Sequence, residues 1–66
     1  MNEEYEYKVL DHKLGRKEEW MIEFKDKKIP PMEELSKICE RISFLWQTSI
    51  ITYPETGKVY YSGWID

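Results

Sequence analysis

Cysteine, glycine, proline and histidine are all scarce in this 66-residue chain: one Cys, three Gly, three Pro and one His. One cysteine permits no internal disulfide, and Cys39 falls among apolar neighbours, so it reads as a small buried hydrophobe in an intracellular setting. The glycines Gly15, Gly57 and Gly63 are isolated, so no glycine-rich loop exists to cradle a phosphate. His12 stands in a charged run beside Asp11 and Lys13, where a solvated turn residue is expected, and no nucleophile is spaced to use it as a base. One His and one Cys cannot supply the three or four ligands of a zinc site. The paired glutamates Glu3-Glu4, Glu18-Glu19 and Glu33-Glu34 are adjacent, which puts the members of each pair on different faces. No apolar run approaches the roughly 18 residues of a membrane span, and the acidic opening lacks a signal peptide's basic and apolar regions. A non-enzymatic, soluble, cytoplasmic chain without cofactor is the expectation.

What the chain does have is aromatic surface. Three Trp, five Tyr and two Phe are a heavy load for a single domain spanning residues 1–66. A chain this short buries only about 60% of the surface its unfolded form exposes. Thirteen acidic and ten basic residues give a net charge of −3, which argues against a coat for duplex nucleic acid.

The one long periodic stretch is Pro31 to Gln47, where Met32, Leu35, Ile38, Cys39, Ile42, Leu45 and Trp46 recur at helical spacing and predict a buried side. Glu33, Lys37, Glu40 and Arg41 fill the opposite side, and Phe44 projects among them. Before the helix, Tyr5–Leu10 and Trp20–Lys25 alternate as strands, joined by a charged turn over Asp11–Glu19 in which Gly15 can take a positive φ. After it, Ser49–Tyr53 and Lys58–Ser62 flank Pro54-Glu55-Thr56-Gly57, a type I turn with a left-handed glycine and a G1 bulge. That register sets Ile51 against Tyr61, Tyr53 against Val59, Thr52 against Tyr60 and Ile50 against Ser62. Gly63, Trp64 and Ile65 extend the last strand.

The fold class is therefore α+β, ordered ββαββ: two hairpins in a four-stranded antiparallel sheet with one helix packed on one face. Tyr5, Tyr7, Val9, Trp20, Ile22, Phe24, Ile51, Tyr53, Val59, Tyr61 and Ile65 are expected to face the helix.

Leu10, Met21, Ile50, Tyr60 and Trp64 then fall on the far face among Glu6, Lys8, Glu23, Lys25, Thr52 and Lys58. A water-facing sheet surface should read more polar than this, which points to contact with another molecule. The bland alternatives are a one-residue slip in register and a Trp64 that folds over to cap the other apolar residues. Phe44 with its neighbour Arg41 is a second such position, although single exposed hydrophobes are common. The favoured reading is a small acidic protein-binding module, a regulator or inhibitor of the kind phages and mobile elements direct at host enzymes, that occupies a partner's surface. Its binding residues are Trp64, Tyr60, Met21, Ile50, Leu10, Phe44 and Arg41, and a homodimer through one surface belongs to the same reading. Single-stranded nucleic acid ranks second. There Tyr60 and Trp64 would stack bases and Lys8, Lys25 and Lys58 would meet phosphates, against the interleaved Glu6 and Glu23 and the lack of an RNP-like motif.

Overall fold

Period-2 alternation and a single amphipathic run leave few ways to bury both, and the computed structural model, which describes residues 5–64, adopts the ββαββ arrangement. Strands β1 (Tyr7–Leu14), β2 (Lys17–Phe24), β3 (Trp46–Tyr53) and β4 (Lys58–Trp64) form one antiparallel sheet in the order β1-β2-β4-β3. Helix α1 (Met32–Ile42) lies between the hairpins in sequence. A 3-10 turn at Lys25–Lys27 leads toward it, and Asp26 and Lys27 there take left-handed backbone (φ 57° and 58°). The last β2 residue and the glycine of the second hairpin meet at this corner, where Phe24 N donates to Gly57 O at 2.8 Å.

The core is Ile22 and Phe24 of β2, Val59 and Tyr61 of β4, Leu35, Ile38 and Cys39 of α1, and Leu45 from the connection that follows. Tyr5, Trp20, Ile29, Ile42 and Ile50 pack around it. An eleven-residue helix is about 16 Å long. It covers the two central strands and leaves β1 without one buried residue. Tyr7 and Val9 do pair with Phe24 and Ile22 on the helix side, as their alternation predicts, yet both stay exposed at the sheet's edge. Ile65 lies outside the described residues.

Four local expectations are corrected. The helix ends at Ile42, five residues short of Gln47: Ser43 is extended (φ −163°, ψ 132°), its N–H closes the last turn on Cys39 O at 2.9 Å, and the Tyr61 hydroxyl donates to its carbonyl. Leu45 is still buried, but from an extended connection, whereas Met32 and Trp46 are exposed. The Asp11–Glu19 turn is mostly strand. β1 continues to Leu14, because an extra residue at Leu10 shifts the register between Val9 and Asp11 and so hides the continuing alternation.

The third correction concerns Gly15, which does not take a positive φ; Gly57 does, at 76°. The fourth is the register of the second hairpin. Gly57 N bonds Tyr53 O at 2.9 Å, so the glycine stays inside a four-residue loop and Tyr53 pairs with Lys58. The pairs are Ile50–Tyr61, Ile51–Tyr60 and Thr52–Val59, one residue away from those expected. Such a slip turns every β3 side chain over. Ile50 and Thr52 face the helix, and Ile51 and Tyr53, expected in the core, face away from it.

Candidate interaction surface

Antiparallel partners point to the same side, so the ladder alone assigns the face away from the helix. On β1 and β2 it carries Lys8, Asp11, Lys13, Lys17, Glu19, Met21 and Glu23; on β4 and β3 it carries Lys58, Tyr60, Trp64, Trp46, Ile51 and Tyr53. The face is thus divided. Its β1–β2 half is charged and holds one ion pair, Lys8 Nζ 3.6 Å from Glu23 Oε1. Its β3–β4 half is apolar and aromatic, with Trp46 60%, Ile51 48%, Trp64 47% and Tyr53 45% exposed. Where the halves meet, the Tyr60 hydroxyl donates to Glu19 Oε1 at 2.5 Å, and this bond raises the pKa of the Tyr60 phenol. Ser62, between Tyr60 and Trp64, is buried even though it lies on this open face.

Among the residues expected to bind, Met21, Tyr60 and Trp64 stand together on this face. Ile50 does not, because the register turns it inward against the core. Leu10 sits at the β1 bulge, separated from the aromatic half by β2. Phe44 is 74% exposed but belongs to the connection after Ser43, not to the polar side of the helix. It borders a shallow hollow of about 230 Å³ beside Cys39, Thr48, Ile50 and Tyr61, on the helix side of the sheet. Arg41 is exposed in the last helical turn, where a cation complements the helix dipole. Phe44 and Arg41 are therefore not part of the sheet surface. Trp46, Ile51 and Tyr53 were missed, and the signal for the latter two was hairpin register.

His12 is a strand residue stacked on Trp20 at 3.6 Å and 13°, and its Nε2 lies 3.0 Å from Glu18 Oε1, which also accepts from Trp20 Nε1 at 2.7 Å. A cleft of about 500 Å³ lies beside Tyr7, Phe24 and Thr56, and its charged rim includes two ion pairs, Lys25 with Glu6 at 3.2 Å and Lys8 with Glu23. Burial pushes the Cys39 thiol up to about 11 and, with nearby charges adding to it, the Tyr61 phenol up to about 12. Among the described residues no cluster of three or more His, Cys, Asp and Glu is placed to hold a metal ion, and no helix is long and apolar enough to cross a membrane. No protein-family model, curated protein or solved structure matches the chain. The surface must be read from its own residues.

Proposed function

We propose that this chain is a non-catalytic protein-binding module that lays the aromatic half of its open sheet on another protein, acting as a regulator or inhibitor by occupying that surface. The carrying observation is the set Trp46, Trp64, Tyr60, Tyr53 and Ile51, gathered on the β3–β4 half of one face with no layer over it among the described residues. Aromatic side chains dominate the energetic centres of protein interfaces, and a contiguous exposed cluster of them is unusual on a surface meant only for water. The charged β1–β2 half supplies a polar border. Single-stranded nucleic acid has less support. Of the three lysines read as phosphate contacts, Lys8 and Lys25 are paired with Glu23 and Glu6; Lys58 and Lys17, which lies opposite Trp64, stand beside the aromatics, but Glu19 and Glu23 are interleaved with them on the same face.

The test compares capture of host proteins by the wild type and by Trp64→Ser, a change at an exposed position that should preserve the circular dichroism spectrum. A host protein retained by the wild type and lost by the variant supports the reading. The same retained set for both, or binding of a labelled oligonucleotide that weakens steeply with salt, overturns it.

A further inference from the structure

A sheet has two edges, and each presents a row of backbone N–H and C=O groups that another strand can take up. In this sheet the edges are β1 and β3. β1 is defended by Lys8, Asp11, His12 and Lys13 and by the bulge at Leu10. β3, WQTSIITY, has no Lys, Arg, His, Asp or Glu in eight residues. Its regular ladder is bounded on one side by the irregularity at Gln47 (φ 50°) and on the other by Pro54, which has no N–H to donate. That leaves Ser49 to Tyr53 as a neutral, β-prone edge, unpaired among the described residues on its outer side, with Ile51 at its midpoint.

We propose that this edge docks a second copy of the chain, β3 against β3 and antiparallel, about a two-fold axis perpendicular to the sheet at Ile51. Such an axis keeps both outer faces on one side, so only residues of the same parity can be opposed. Centring on Ile51 uses the whole regular segment: Ile51 faces Ile51 of the other copy, Ile50 faces Thr52, and Ser49 faces Tyr53. A strand without charge meets no like charge when opposed to itself, which is why a second copy suits it. A standard interface takes about 800 Å² per partner, roughly a sixth of the 5101 Å² surface, and the strip is widened by Trp46, Ile51 and Tyr53 beside the seam. The product is an eight-stranded sheet whose two aromatic half-faces join into one belt. The inference rests on the β3–β4 half being an interaction surface; sedimentation tests the seam and host-protein capture tests the face, so each can fail alone.

Sedimentation velocity of the full chain should give a dimer at about 0.1 mM. Ile51→Glu and Ile51→Lys, at a half-exposed position, should each weaken the dimer at least about tenfold, and an equal mixture of the two should restore it, because opposite charges then face across the axis. Val9→Glu, on the other edge, should leave the dimer as it is. Ile51→Cys should cross-link to a covalent dimer under mild oxidation while Cys39 stays buried, a readout that holds even if a charged variant folds poorly. A wild-type monomer up to about 1 mM, Ile51 variants that dimerise as the wild type does, or a mixture that stays monomeric would overturn the proposal.

Discussion

The strands β1 and β3 are the two edges of one sheet, each eight residues long, and they are built on opposite principles. β1 is exposed along its whole length, whereas β3 has Ile50 and Thr52 half-buried; β1 is tied to β2 by side-chain pairs, Lys8 with Glu23, Tyr7 on Phe24 with ring centres 5.5 Å apart, and His12 with Trp20 and Glu18. Exposed pairs of this kind are worth little one at a time, but their charges keep the edge solvated. β3 is fastened by close packing at its start, where Leu45 is buried and Gly63 lets β4 approach, while its rim carries no charge. One edge is cheap to perturb and safe to expose. The other is hard to perturb without damage and open to company.

The comparison can be broken most forcefully at Gly63. A Cβ there would lie 2.7 Å from Leu45 Cβ, 3.0 Å from Trp46 O and 3.3 Å from Thr48 Cα, and none of these is the free end of a side chain. Gly63→Ala should cost about 3 kcal/mol in urea unfolding, with β3 amides losing hydrogen-exchange protection before those of β2. Alkaline pH should act next, through the packed side of the molecule. Cys39, raised from 9.0 to about 11, and Tyr61, raised from 10.0 to about 12, hold their protons more tightly folded than unfolded. Their contribution is complete below pH 9 and is lost as pH climbs through 11 and 12, so the urea midpoint should fall across that range. Cys39→Ala should remove the earlier part of the fall.

On β1 the effects should be smaller. His12→Ala removes a stacked ring but leaves Trp20 bonded to Glu18, and should cost about 1 kcal/mol in thermal unfolding. Lys8→Met, which removes an exposed pair, should change stability by less than about 0.5 kcal/mol. A large loss there would mean that β1 is not the loosely held edge described above.

Much of the architecture was legible because alternation and helical spacing act locally. Ile22, Phe24, Val59, Tyr61, Leu35, Ile38 and Cys39 were read as core from period alone, and each is buried. The errors lie where a distant group or a single extra residue decides. Leu45 and Trp46 continue the helical spacing past Ile42, and nothing near them in sequence reveals that the Tyr61 hydroxyl caps the Ser43 carbonyl in an extended chain. The bulge at Leu10 inverts the parity of everything after it in β1, so His12 read as a turn residue. On the candidate surface, Met21, Tyr60 and Trp64 come from strands of simple alternation and were placed correctly. Ile50 was chosen where Ile51 belongs because two hydrogen-bonding schemes for one Gly57 turn differ by a single residue, and the sequence around the turn suits both.

The His12–Trp20 stack also gives the molecule a built-in optical division. Trp20 is half-buried under an imidazole, whereas Trp46 and Trp64 stand in water on the opposite face. Emission from the latter pair should dominate the red side of the fluorescence spectrum and shift blue when that face is covered. Contact quenching by the imidazole should keep Trp20 dim until β1 peels away. One unlabelled sample therefore reports occupancy of one side of the sheet and opening of the other in separate bands.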